Sequence, residues 1–392
     1  MIACGTLHTK SKNALKQGEL FSHRSRVENS IGQVFEPMKI ASLLSVSAAV
    51  LFVAASSVHA ADLDTVFRRG DTKGFSGQLT TISKTEVVVT QKVGNKEEHI
   101  PANEISKVEF QGEPPMLNLA RGNEAAGRLQ EAMAGYQEAI AAGGSDNVKA
   151  EVNFLLARTL AKLAQSDPTK AAAAIEKLNG LTNSNRDHYR YYPVQQLLAE
   201  TALLVHDHVT AESAFDRLSQ APWLDYQMAG KNGTARTLID QKKVAEAKAI
   251  FDELAAAKAA SPTEKNAQLE AMLGQAECLQ MQNEVGLATE VLQKVVNLAT
   301  AEDPRVLAQT YLQLGNAYLT DGQKNKDALL AFLHVDVIPT LAAQADLHAE
   351  ALYQLSKLWP AVGQPARGAE ASAKLQQEYP ESEWAKKLAA GQ

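Results

Sequence analysis

Apolar positions change their period once along this chain. Between residues 61 and 113 they fall in short, β-branched runs: Phe75 to Ile82, Val87-Val88-Val89, His99-Ile100, and Ile105 to Phe110. Turn-forming stretches separate them at Lys84-Thr85, Gly94-Asn95 and Pro101-Ala102-Asn103. This pattern predicts four or five consecutive antiparallel strands, which in so short a segment predict a small barrel. Gly112-Glu113-Pro114-Pro115 then ends the strand region, because two prolines deny ladder hydrogen bonds, and a domain boundary is placed there. From Met116 onward the chain is rich in Ala, Leu, Gln, Glu and Lys, with apolar residues at helical spacing and short Gly, Asp, Ser or Pro breaks.

The helical part repeats. Aligning on a small residue followed four positions later by a larger apolar one gives Ala132/Tyr136, Ala171/Ile175, Ala211/Phe215, Ala247/Phe251, Ala288/Leu292 and Ala328/Phe332, at intervals of 39, 40, 36, 41 and 40 residues. A looser seventh unit begins at Leu352-x2-Leu355-Ser356-x2-Trp359, with its second helix anchored near Ala369 or Ala371. The unit at Tyr311-x2-Leu314-Gly315-x2-Tyr318, Ala328-x3-Phe332, Pro339 is the best preserved. It resembles a tetratricopeptide repeat, a helix-turn-helix in which Gly and Ala allow close helix approach while bulky residues fill the space between pairs. The resemblance implies a mainly α fold for residues 116–392: a right-handed solenoid of about seven helical hairpins, each needing its neighbours to bury its apolar face. Intervals near 40 exceed the usual 34 and imply longer helices or turns. Residues 61–113 are similar to small barrels of the SH3 or Sm kind, whose role here is either ligand binding or capping of the first repeat.

Charge and leader narrow the setting. A net charge of -6 and a pI near 5.9 give no basic stripe, so no nucleic acid is expected as a partner. Met38-Lys39 precedes an apolar run from Ile40 to Ala55 and the small-residue exit Val58-His59-Ala60, the pattern of a secretory signal cleaved after Ala60. The expected start is therefore Met38, with residues 1–60 absent from a mature chain of net charge -9 and with no stable membrane span after cleavage. The Tyr379-Pro380-x-Ser382-x-x-Ala385 ending resembles that of repeat proteins of bacterial envelopes, which implies an exported protein of the periplasm or cell envelope. Cys278 is the lone cysteine of that mature chain; Leu273 and Met281 place it on an apolar helix face, as a structural thiol.

The sequence contains no phosphate-cradling Gly-rich loop, HExxH, paired CxxC or nucleophile elbow, so a non-enzymatic protein with no cofactor and no metal is expected. His206-x-His208 reads as a polar turn, since residues two apart on a helix face different directions. Asn232-Gly233-Thr234 is a glycosylation sequon. Tyr189, Arg190, Tyr191 and Tyr192 form a candidate surface cluster of residue types common at binding hot spots, and also read as aromatics tucked under the next helix. Counting from the Leu-Gly positions, Gln196, Glu200, Asn232, Arg236, Gln275, Leu312 and Asn316 are expected to line a concave groove. Amide and Arg groups there suit an extended peptide, so the function expected is a scaffold holding protein segments. The alternative is a glycan-processing or glycan-binding accessory protein, a helical toroid using the tyrosine cluster with Asp187 as a sugar platform. A spacer without a specific ligand is a third reading.

Overall fold

The β-branched runs become five antiparallel strands in the computed structural model, which describes residues 63–391 apart from Gln323. The expected leader, the start at Met38 and cleavage after Ala60 lie outside the described residues. The strands are β1 (Asp64–Arg68), β2 (Gly74–Ile82), β3 (Glu86–Thr90), β4 (Glu97–Pro101) and β5 (Ile105–Glu109), in the order β4-β3-β2-β1-β5. β1 was not singled out by its pattern, yet it pairs with both β2 and β5 and so brings the two ends of the segment together. Register shifts in β2, between Leu79 and Thr81, and in β1, between Phe67 and Arg68, bend the sheet around Val66, Val87, Val89, Ile100 and Val108. A single 3-10 turn, Ala102–Glu104, carries the chain from β4 into β5.

Helices follow in pairs. They are α1 (Met116–Ala125) with α2 (Leu129–Ala142), α3 (Asp146–Ser166) with α4 (Ala171–Ser184), α5 (Tyr191–Leu204) with α6 (His208–Ser219), and α7 (Leu224–Asp240) with α8 (Val244–Ala255). Next come α9 (Pro262–Met281) with α10 (Val285–Leu298) and α11 (Pro304–Thr320) with α12 (Asn325–Val337). A short α13 (Pro339–Ala342) leads to α14 (Ala345–Ala361) with α15 (Pro365–Glu378), and α16 (Glu383–Ala389) closes the described chain. The fold is a tetratricopeptide-like solenoid of seven hairpins preceded by a small antiparallel β module. The extra length per repeat lies in first helices: α3 has 21 residues and α9 has 20, whereas α6 and α8 have 12.

Six small residues, Ala132, Ala171, Ala211, Ala247, Ala288 and Ala328, are buried where second helices begin. In the seventh hairpin the matching position, fourth in its helix, is Gly368; Ala371 is buried one turn later, and Ala369 faces solvent. A Cβ built on Gly368 would meet Pro360 and the Ser356 carbonyl at 2.7 and 2.9 Å, so only glycine permits that approach. Each first helix from α3 to α11 also packs against the first helix of the next hairpin. Curvature follows, because the first helices crowd one side and the second helices spread along the other.

The tail ends the stack with its own contacts. Tyr379 Oη meets His348 Nδ1 at 2.8 Å, the Trp384 ring lies 5.2 Å from Tyr353, and the Ser382 hydroxyl caps α16 by accepting from the Ala385 amide. Cys278 is fully buried, and burial pushes its thiol up to about 11.

A continuous core joins the β module to the first hairpins, including Val66, Ile100 and Val108 with Leu117, Tyr136 and Leu155. At its polar centre Glu151 of α3, fully buried, receives the Arg190 guanidinium at 2.8 and 3.0 Å and the Tyr189 hydroxyl at 2.5 Å. Arg190 also reaches the Ser106 carbonyl of β5 at 3.4 Å, the Lys84 amide donates to Asp187, and Arg121 of α1 donates to the Val108 carbonyl. The proposed surface cluster is therefore a correction: Tyr189, Arg190 and Tyr192 are buried, and Tyr191 is half-buried with Lys84 Nζ over its ring. Arg190 and Tyr189 face inward because the buried Glu151 carboxylate needs a paired cation, while Tyr192 packs against Trp223 and Tyr226.

Burial alone would raise the Glu151 carboxyl, but the Arg190 charge and the hydrogen bonds from Arg190 and Tyr189 hold it down at about 2. A carboxyl depressed on folding stabilises the protein above its unfolded value and loses that contribution as pH falls through its folded one. Glu151→Gln is expected to cost about 3 kcal/mol in urea unfolding at pH 7, with the gap to wild type narrowing between pH 5 and 2. In the best-preserved repeat, a Cβ on Gly315 would lie 2.5 Å from the Phe332 ring. Gly315→Ala should therefore lower stability by about 1–3 kcal/mol, read from the same denaturation curves.

Candidate functional site

The first helices of hairpins three to seven carry a line of charged side chains on the side where those helices crowd together. Gln196 and Glu200 of α5 share a hydrogen bond of 2.9 Å. Glu200 lies within electrostatic reach of Arg236 on α7, Glu270 on α9 and Arg305 on α11, and Arg236 also acts on Glu277 of α9. Arg305 forms a two-pronged pair with Asp346 of α14 at 2.7 and 3.0 Å. Asn316 donates to Glu350 of α14 at 3.4 Å, and Glu383 of α16 adds a further like charge to Glu350. Acids outnumber bases along this stripe.

The carboxyl groups of the stripe are shifted by their surroundings. Water reaches Glu200, yet desolvation raises its carboxyl above the ordinary range, reinforced by the charge of Glu270 and opposed by Gln196, Arg236 and Arg305. Glu277 and Glu350 are raised chiefly by desolvation as well. These side chains combine contact with water and partial enclosure by neighbouring helices.

Beside the stripe lies a cavity of about 360 Å³ that spans hairpins three to six, lined by Gln196, Asp225, Tyr226, Asn266, Glu270 and Asp303 together with Arg69. Arg69 comes from the turn after β1, where its guanidinium donates to Tyr226 Oη at 3.3 Å, and Asn103 of the 3-10 turn donates to Asp225. The β module thus forms part of the cavity wall. A separate cleft of about 450 Å³ between α3 and α4, lined by Lys149, Asn153, Lys177 and Asn185 among others, shares no residue with the stripe.

Of the positions expected to line the groove, Gln196, Glu200, Arg236 and Asn316 fall on this stripe. Leu312, 4% exposed, belongs to the core between α11 and α14. Asn232, 2% exposed, donates to the Ala267 carbonyl at 2.8 Å between α7 and α9; in that buried place it offers no exposed amide for a glycan. Gln275 is half-buried and donates to Asp252 of α8 at 2.7 Å. Positions next to the Leu-Gly step alternate between groove and helix contact, so a count from the motif assigns both kinds. Glu270, Glu277, Arg305, Asp346 and Glu350 were missed because they lie one or more turns away from that step. The signal for them was a charged residue recurring on otherwise apolar first helices.

Geometry also changes the histidine pair. His206 adopts the left-handed conformation (φ 57°) in the turn between α5 and α6, so the helical argument does not apply to it. Its Nδ1 lies 2.6 Å, and His208 Nε2 2.5 Å, from the same oxygen of Asp240 at the end of α7.

No protein-family model matches the chain, and no curated protein matches it. Solved structures similar to it include PilW, a type IV pilus biogenesis factor, at 20% identity over 60% of this chain and 98% of that one, with a TM-score of 0.40. A tetratricopeptide repeat protein from Parabacteroides merdae is 15% identical over 67% of this chain and 92% of its own, with a TM-score of 0.44. YrrB, a tetratricopeptide repeat protein with an unusual peptide-binding site, is 16% identical over 55% and 99%, with a TM-score of 0.30.

An acid whose folded value is raised destabilises the native state as pH climbs past its unfolded value, and that penalty is complete above its folded one. Replacing Glu200, Glu277 and Glu350 together by Gln is therefore expected to raise the Tm at pH 7. The increment should vanish below about pH 4, where the unfolded carboxyls are protonated too. Differential scanning calorimetry at the two pH values measures it.

Proposed function

We propose that this chain is an exported, non-catalytic scaffold that holds an extended, cationic protein segment along the groove formed by its first helices. The observation that carries the reading is the acidic stripe itself: Glu200, Glu270, Glu277, Asp346 and Glu350, only partly offset by Arg236 and Arg305. Glu200, Glu277 and Glu350 are partly desolvated at a cost in stability, as is usual where binding rather than folding sets the residue. A Lys- or Arg-bearing segment would replace the lost hydration with charge-assisted hydrogen bonds, and Gln196 and Asn316 would supply amide groups to its backbone. The cavity walled by Arg69, Asp225 and Tyr226 adjoins the stripe, so the β module takes part in binding as well as capping the first hairpin. Export rests on the secretory pattern at residues 38–60. The glycan-processing reading drew on Tyr189, Tyr191 and Tyr192 as a sugar platform; with Tyr189 and Tyr192 packed in the core, nothing favours it.

Selection from a random peptide library on immobilised protein tests the proposal. The expected result is enrichment of Lys/Arg-containing peptides whose affinity falls at least tenfold for Glu200→Gln/Glu270→Gln/Glu277→Gln and drops with added salt. Enrichment of neutral or acidic peptides, or affinity indifferent to the triple variant, would overturn it.

A further inference from the structure

The turn inside most hairpins contains one residue in the left-handed conformation, which makes the turns directly comparable. That residue is Gly127, Gly322 or Gly363 in three hairpins, Asn283 in another and Lys242 in the turn between α7 and α8; in the third hairpin it is His206. Glycine takes this conformation at no steric cost. Two positions later, where the second helix starts, the other turns place Leu129, Val244, Val285, Lys324 and Pro365, and the third hairpin places His208. Two positions before it, first helices carry Ala125, Leu204, Met281, Thr320 and Ala361, but α7 carries Asp240. The third and fourth hairpins thus depart from the pattern of their own repeats at three positions, and the three side chains converge.

We propose that His206, His208 and Asp240 form a binding site for one divalent first-row transition metal ion of the zinc class, at the edge where the third and fourth hairpins meet. Two imidazole nitrogens and a carboxylate oxygen are the donor types such ions take. All three ligating atoms lie within 4.8 Å of one another. Bonds of about 2.0–2.2 Å need only rotation of side chains at the ends of their elements. The His206 side chain is 72% exposed and those of His208 and Asp240 are near 30%, so an ion can enter from solvent. One carboxylate oxygen of Asp240 lies between the two imidazole rings, facing Nδ1 of His206 and Nε2 of His208. Three protein ligands leave a coordination position for water or for a donor from a bound partner. The ion would tie the turn between α5 and α6 to the end of α7, cross-linking two hairpins that otherwise meet through helix packing.

Tag-free full-length protein is titrated with Zn²⁺ by calorimetry and with Co²⁺ by visible absorption. The expected result is one saturable ion per chain beyond whatever His206→Ala/His208→Ala/Asp240→Asn retains. Affinity should be at least tenfold weaker in His208→Ala and in Asp240→Asn alone, with unchanged far-UV circular dichroism, and unaltered in His334→Ala. Absence of saturable binding to folded wild type, or binding equal in the wild type and the triple variant, overturns the site.

Discussion

Everything in the helical part rests on how closely two helices can approach where each hairpin folds back. A buried small residue at the start of every second helix, from Ala132 to Gly368, sets that approach. Phe215, Phe251 and Phe332 then fill the space that the small residues leave, against Gly233, Gly274 and Gly315. The same packing dictates where function can reside. Because first helices also touch one another, their remaining exposed positions share one side of the stack, and charges placed there act on their counterparts on the next hairpin.

The β module does not stand apart from this arrangement. Its core is continuous with the first hairpins, and its polar attachment runs through Glu151, Arg190 and Tyr189, where a buried ion pair is completed by a hydroxyl and by a carbonyl of β5. A pair of that kind is demanding in geometry, and removing one partner leaves the other charge buried and uncompensated. Arg69 and Asn103 complete the attachment at the cavity, so the sheet both caps the stack and walls that cavity.

Much of the architecture was legible because it depends on periodicity. The alanine ladder, the β-branched runs and the Pro-Pro step are local signals, and they correspond to second helices, strands and the passage into α1. What stayed hidden depends on partners distant in sequence. Tyr189 to Tyr192 look like a hot spot until Glu151, 39 residues before Arg190, is seen to claim the arginine. His206 and His208 look unrelated on a helix, and only the left-handed turn and Asp240 bring them together. Leu312 and Asn316, four residues apart on one helix, were both assigned to the groove, yet Leu312 enters the core and Asn316 meets Glu350. The acidic stripe was missed for the same reason: each carboxylate alone is an ordinary surface residue, and their sum exists only once the hairpins stack.

Binding of a cationic segment on the first-helix face would be read from amide hydrogen exchange measured with and without a saturating lysine-rich peptide. Added protection is expected in α5, α7, α9, α11 and α14 and in the turn bearing Arg69, with α6, α8, α10 and α12 unchanged. Protection confined to the second helices, or to the outer strands of the β module, would contradict it.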